Sequence, residues 1–426
     1  MEIAVSRSKI SGQVEIPGSK SHTIRAIVLA SLAKGTSTIK APLVSEDTVS
    51  CLQAASTLGA WIKRGDDTIW RISGTGGKLL QPAGVIDMGN SGTGLRLFTS
   101  IAARADFPIS FDGDESLRTR TMASLLAALQ AMGAKVESAK GKCPLSVTGP
   151  INGAEVTIEG KTSQYLSSLL FAAPLLENDT VIHVEGLNEQ PYVMITLEWL
   201  DRQGIRYEAE KDLSTIRISG SQQYSPFSVR IPVDFSTASF PLVAAALTGG
   251  DVQIPNLDFT DAQGDKMIFD YMRDMGVKIE TKDNITAIKG PKKLKAFDID
   301  LNATPDALPV LAVAGACAEG TSYLRNVPQA RLKETDRIFC MAAELRKMGA
   351  QVEEFHDGMA ITGTKLKGSG ELDSHKDHRI AMALTIAAMA AEGESVIKDA
   401  ECADVTYPGF IDDFRNLGAK ITEFTV

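Results

Sequence analysis

A short phrase recurs along the chain: an apolar helix end, a glycine, then a run rich in β-branched residues. It reads Thr-Leu-Gly-Ala-Trp-Ile at 57–62, Ala-Met-Gly-Ala-Lys-Val at 131–136 and Arg-Gln-Gly-Ile-Arg-Tyr at 202–207. It returns as Asp-Met-Gly-Val-Lys-Ile at 274–279, Lys-Met-Gly-Ala-Gln-Val at 347–352 and Asn-Leu-Gly-Ala-Lys-Ile at 416–421. The glycines, Gly59, Gly133, Gly204, Gly276, Gly349 and Gly418, are separated by 74, 71, 72, 73 and 69 residues. A glycine just past a helix suits a C-terminal cap, and the β-branched residues beyond it begin a strand. Spacing this regular is an internal repeat.

Each repeat also carries an earlier helix that ends in a glycine-containing turn, as at 30–35, 244–250, 312–320 and 387–393. Strand-like runs follow at 37–39, 252–254, 322–324 and 395–397. The order per repeat is therefore β-α-β-α-β-β. Repeats this long are not solenoid units, but a few of them can close around a shared core of helices. Six repeats divide naturally into three plus three.

Composition narrows the class. A chain of 426 residues suggests about two or three domains. A hydrophobic fraction of 44% and a mean hydropathy of −0.01 suit ordinary globular cores. The longest apolar helix candidates, such as 380–391, fall short of the ~20 residues that span a bilayer. The first residues lack a basic segment leading into an apolar run, so no signal peptide is expected. Cys51, Cys143, Cys317, Cys340 and Cys402 are scattered and odd in number, as expected of reduced thiols in a cytoplasmic protein. A net charge of −9 argues against general nucleic-acid binding, so an anionic ligand must be held by local basic clusters.

Such clusters open the repeats. Pro17-Gly-Ser-Lys20-Ser-His-Thr-Ile-Arg25 reads as a loop delivering Lys20 to a helix start. There the backbone N–H groups, the helix dipole and a lysine converge, which suits phosphate or carboxylate; a capped helix with solvated cations is the plainer alternative. The nucleotide P-loop pattern fails, because Ser19 separates Gly18 from Lys20 and Gly12 lies one residue too far upstream. The second repeat opens with Gly89-Asn-Ser-Gly-Thr93 and Arg96, an anion nest or an N-cap. The others open with Lys161-Thr-Ser-Gln164, Asp234-Phe-Ser-Thr237, Thr304-Pro-Asp306 and Lys376-Asp-His-Arg379. Arg118 and Arg120 precede a further helix. In Arg331-Leu-Lys-Glu-Thr-Asp-Arg337, helical spacing would put Lys333, Glu334 and Arg337 on one face. A carboxylate among cations stays ionised and can exchange a proton with a bound ligand. His375 and His378 lack the further ligands of known zinc patterns, and no nucleophile pattern such as G-x-S-x-G occurs.

Together these motifs resemble the enolpyruvyl transferase family, in the branch that acts on shikimate 3-phosphate. The likeness runs the whole length. It rests on Pro17-Gly-Ser-Lys-Ser21 with Arg25, Gly89-Asn-Ser-Gly-Thr93 with Arg96, Arg120, Ser163-Gln164 and Pro191-Tyr192. It continues through Pro305-Asp306, Leu332-Lys-Glu-Thr-Asp-Arg337 and Asp377-His-Arg379. The resemblance implies a two-domain inside-out α/β barrel with three β-α-β-α-β-β repeats per domain. It implies that residues 1–17 and 233–426 form one domain, carrying repeats four to six, and that 18–232 form the other.

The implied reaction joins shikimate 3-phosphate to phosphoenolpyruvate and releases phosphate, a transferase step of the shikimate pathway in aromatic amino-acid biosynthesis. Neither a metal nor an organic cofactor is implied. Small-molecule substrates are the expected partners, not nucleic acid or membrane, for a monomer in the cytoplasm. By position, Lys20, Asn90, Gly92, Arg120, Gln164, Arg337 and Arg379 would hold phosphoenolpyruvate. Lys20, Ser21, Arg25, Thr162, Ser163, Gln164, Asp306, Gln329 and Lys333 would hold shikimate 3-phosphate. Asp306 would take the proton of the attacking hydroxyl, and Glu334 and Lys20 are the candidates for protonating the methylene carbon. Glu189 stands where many members carry a serine beside the sugar-ring phosphate, and Gln329 stands where they carry asparagine. Relatives that use a UDP-amino sugar usually carry a cysteine where this chain has Glu115.

Overall fold

The computed structural model describes residues 1–65 and 68–424. The chain forms two compact units, Met1–Pro17 with Pro232–Val426, and Gly18–Ile231. Each contains three of the six four-stranded sheets found among the described residues.

The repeat legible in the sequence is visible in each sheet. In the third repeat, Glu155–Glu159 pairs in parallel with Thr180–Glu185, and the helix Ser163–Ala172 makes the crossover. Thr215–Ile218 then pairs antiparallel with Thr180–Glu185, and Tyr207–Ala209 closes the edge. Along Glu155–Glu159 only Val156 and Ile158 are buried, so one face packs inward and the other meets water. Three sheets draw a strand from a distant part of the chain. Ser228–Arg230 pairs with Thr36–Lys40, and Ser11–Gln13 pairs with Asp251–Pro255. Glu2–Ser6 lies between Glu394–Lys398 and Lys420–Phe424, which ties both ends of the chain into one sheet.

The six repeat glycines all have positive φ, from +66° at Gly204 to +110° at Gly59. Side chains other than glycine rarely adopt that backbone, so glycine is what lets each outer helix stop and its strand begin at once.

Inside each ring of sheets lie three helices that are buried almost all round. In Gly18–Ile231 they are Lys20–Leu32, Gly92–Ala102 and Ser163–Ala172. In the other unit they are Phe235–Thr248, Leu308–Cys317 and His378–Ala390. A helix with no polar stripe must be enclosed by other elements, and this explains an inside-out barrel with helices within and sheets outside. Phe235, Phe259 and Phe269 pack edge to face in that core, with centroids 5.1 to 5.7 Å apart. In Gly18–Ile231 the inner helices reach the surface only at their first turns: Lys20 and Ser21, Thr93, and Gln164 are the residues not buried. The fold thus presents helix N-termini with their positive dipole ends.

Candidate active site

In the unit containing Pro232–Val426, Arg337 is the hub, with a side chain only 1% exposed. Its Nε donates to Asp377 Oδ2 at 2.8 Å and its Nη2 to Asp377 Oδ1 at 3.2 Å. Nη1 donates to Asp306 Oδ1 at 2.9 Å, and Nη2 also to Glu334 Oε2 at 2.8 Å. Arg379 reaches the other oxygen of Asp306 at 3.0 Å and donates to Ser236 Oγ at 2.9 Å. Lys333 Nζ stands 3.9 Å from Asp306 Oδ1. Asp377 also caps His378–Ala390, accepting from the Arg379 N–H at 2.9 Å.

Three carboxylates and three cations therefore share one small volume. Burial alone would raise the Asp306 pKa, but Arg379, Lys333 and Arg337 outweigh it and hold the carboxyl below the usual carboxylate range. Burial alone would lower Arg337, but Asp377, Glu334 and Asp306 push it above its ordinary value. Asp306 and Arg337 are therefore both held ionised in the free protein.

In Gly18–Ile231 a second cluster gathers at the helix N-termini. Lys20, the first helical residue after the Ser19 cap, pairs with the buried Asp47 at 3.1 Å. Arg120 Nη2 donates to Asn90 Oδ1 at 2.6 Å and to Ser116 Oγ at 3.1 Å, and Nη1 to Asn90 O at 3.3 Å. Asn90 is held in turn by Asp114, at 2.7 Å. Arg96 Nη1 donates to Gln164 Oε1 at 2.5 Å, with its guanidinium over the Tyr165 ring. Between the two arginines sits Gly92: a Cβ there would lie 2.8 Å from Arg96 Nη1 and 2.9 Å from Arg120 Nη1. The missing side chain leaves two guanidinium groups facing one gap at the start of a helix, an arrangement that suits a small anion.

The sequence profile of the EPSP synthase (3-phosphoshikimate 1-carboxyvinyltransferase) family matches residues 5–414. The chain belongs to this family. It is 47% identical to a 3-phosphoshikimate 1-carboxyvinyltransferase of Acetivibrio thermocellus over 424 residues, covering 99% of each chain. It is 45% identical to the protein of that name from Ruminiclostridium cellulolyticum, again over 99% of each. Among solved structures, an EPSP synthase from Acinetobacter baumannii matches with a TM-score of 0.83 at 28% identity, covering 99% of this chain and 100% of that one.

For this member of the EPSP synthase family, most residues singled out from the sequence fall into the two clusters. Asp306, Lys333, Glu334, Arg337 and Arg379 come together in one, and Asn90, Gly92, Arg120 and Gln164 in the other. Lys20 and Ser21 stand at the first turn of their helix. Others are engaged elsewhere. Arg25 is buried, with Nε on Thr196 Oγ1 at 2.9 Å and Nη2 on Tyr192 O at 2.9 Å. Burial pulls its pKa down to about 10. Gln329 is also buried, donating from Nε2 to Asn302 O at 3.0 Å, while its Oε1 meets no partner among the described residues. Thr162 and Ser163 both turn toward the carboxylate of Glu189.

One expectation is corrected. Lys333, Glu334 and Arg337 do not share a helical face: Pro328–Leu332 is a 3-10 turn, residues 333–335 bend, and the α-helix begins at Arg337. Asp336 decides this, because its side chain accepts from the Phe339 N–H at 3.0 Å and makes it the cap rather than an interior residue. The bend still brings Glu334 to Arg337. Sequence reasoning gave no role to Asp47, Asp114, Ser236 or Asp377. Asp377 carried a usable signal, since an aspartate just before an apolar helix is a cap with an oxygen to spare.

Proposed function

We propose that this chain transfers the carboxyvinyl group of phosphoenolpyruvate to the 5-hydroxyl of shikimate 3-phosphate and releases phosphate, as a transferase of the shikimate pathway. Family membership supports the reaction, and one observation supports the site: Asp306 is held ionised among Arg379, Lys333 and Arg337, with Glu334 bonded to that same Arg337.

In this reading Asp306 accepts the proton of the 5-hydroxyl as that oxygen forms its bond to C2 of phosphoenolpyruvate. Glu334 or Lys20 delivers a proton to the methylene carbon. The C2–O bond to phosphate then breaks, a proton leaves the new methyl group, and the vinyl ether remains. A deeply depressed carboxylate is a weak base on its own. The substrates' phosphate and carboxylate groups compensate the neighbouring cations, which raises the basicity of Asp306 when it is needed. Arg120, Arg337, Arg379, Lys20, Asn90, Gln164 and the gap at Gly92 are assigned to phosphoenolpyruvate. Ser21, Arg25, Thr162, Ser163, Gln164, Gln329, Lys333, Asp306 and Lys20 are assigned to shikimate 3-phosphate.

We read the enzyme as a cytoplasmic monomer. Its five cysteines are free, and no helix among the described residues is long and apolar enough to cross a membrane. A phosphate-release assay tests the reaction. Release only when both substrates are present is expected; equal turnover with a UDP-amino sugar as acceptor, or none with either, refutes it.

A further inference from the structure

Glu189 is an acidic residue in an unexpected place. Its side chain is buried, 1% exposed, and its backbone sits at φ 59° and ψ 37°, a region non-glycine residues rarely use. From there Oε2 reaches the start of the inner helix Ser163–Ala172. It accepts from Ser163 Oγ at 2.9 Å, from the Ser163 N–H at 3.2 Å and from Thr162 Oγ1 at 3.3 Å. A hydroxyl has one proton to give and a backbone amide one. All three donors at this helix N-terminus are therefore spent on a single carboxylate oxygen. These are residues that the proposed function assigns to shikimate 3-phosphate.

A phosphate oxygen approaching Thr162 and Ser163 would find no free donor and would meet a carboxylate. Both groups are anionic acceptors, so they compete for the same protons and the same dipole end. The neighbourhood suits an anion in either case: Gln164 follows directly and holds Arg96, and Arg96 feels the Glu189 charge. Helix N-termini of this type serve phosphate and carboxylate equally.

We propose that Glu189 is an internal stand-in for the ring phosphate of shikimate 3-phosphate, seated on Thr162 and Ser163 in the free enzyme and displaced when that phosphate binds. The inference rests on the function proposed above. Its consequence is that Glu189 lowers the affinity for the phosphorylated acceptor, because part of the binding energy is spent on moving it. Glu189 is thus a positioning residue that keeps the donors ordered while the site is empty and sets how readily the acceptor leaves.

Calorimetric titration tests this with Glu189→Ser and Glu189→Gln, using shikimate 3-phosphate and unphosphorylated shikimate as ligands. Serine removes the competing carboxylate, so shikimate 3-phosphate should bind roughly tenfold more tightly, as expected for freeing charge-assisted hydrogen bonds. Glutamine keeps the size and one acceptor but not the charge, so a smaller gain is expected, and it serves as the test if the serine variant folds poorly. Shikimate should bind both variants as it binds the unaltered protein. Weaker or unchanged binding of shikimate 3-phosphate by the folded variants overturns the proposal and makes Glu189 a structural clamp. Equal tightening for both ligands also overturns it, since the phosphate would then not be the group in competition. If the unaltered protein binds no shikimate 3-phosphate, the proposed function fails; if it binds and turns over while the variants do not tighten, only this inference fails.

Discussion

Replacing Gly92 by alanine separates the function of the anion gap from the stability of the fold. The new Cβ would stand 2.8 Å from Arg96 Nη1 and 2.9 Å from Arg120 Nη1, closer than real Cβ contacts allow. Both obstacles are the far ends of long side chains, so the guanidinium groups can swing aside. Moving them means loosening Arg96 from Gln164 and Arg120 from Asn90. Gly92 lies at the first turn of a helix and has no positive φ, so alanine gains there by up to ~1 kcal/mol in helix propensity. The two effects oppose each other, and the net change in unfolding free energy should stay within about 1 kcal/mol. Ligand binding has no such compensation. A methyl group in the gap, with one displaced arginine, forfeits a charged hydrogen bond of about 1.5–3 kcal/mol, or roughly 10- to 100-fold in affinity. Steady-state kinetics should show KM for phosphoenolpyruvate raised by about that factor, and calorimetry should show little change for shikimate 3-phosphate. An unchanged KM for phosphoenolpyruvate beside weakened binding of the acceptor would refute the assignment of the gap. So would a large fall in melting temperature, which would mean that the helix cannot accommodate the methyl group.

Asp306→Ala should lower turnover and weaken shikimate 3-phosphate binding, whereas Glu334→Ala should lower turnover by on the order of 10²–10⁴-fold while leaving that binding nearly intact; the opposite pattern in rate and calorimetric measurements would reverse the two roles. His375 donates a third effect, on stability alone. Hydrogen bonds to Cys340 and to Glu344 raise its pKa to about 10, above the ~6.5 of an unfolded chain. Its contribution is thus complete below about pH 6.5 and is lost as pH rises through about 10. His375→Asn, chosen because asparagine tolerates the φ of 53°, should cost about 1 kcal/mol or less at pH 6, with the gap in melting temperature closing by pH 10; a gap independent of pH would sink this.

What the sequence disclosed was what short-range chemistry dictates. The six glycines were legible because each solves a local problem, a chain that must turn through positive φ between helix and strand. The inner helices were legible because their polar residues gather at the first turn. Contacts made across long separations were not. Asp377 grips Arg337 from 40 positions away, and Asp47 meets Lys20 from 27 positions away. Local sequence marks Asp377 as a helix cap, but nothing local shows that it will grip Arg337 or that Asp47 will meet Lys20. The stretch 331–337 was misread because helical spacing was assumed where Asp336 acts as a cap. Glu189 was noticed as out of place, but its seat on Thr162 and Ser163 depends on a left-handed backbone turn that composition does not encode.

In the proposed reaction carbon is transferred by addition and elimination, with a proton passing to and from the methylene group. The reaction run in D2O tests it most directly, with the product followed by NMR and mass spectrometry. A phosphorylated vinyl ether should form only when both substrates are present, with deuterium in its methylene group, because a solvent-exchanged Glu334 or Lys20 protonates C3 before elimination. A product carrying no deuterium, or phosphate release without any vinyl ether, would contradict it.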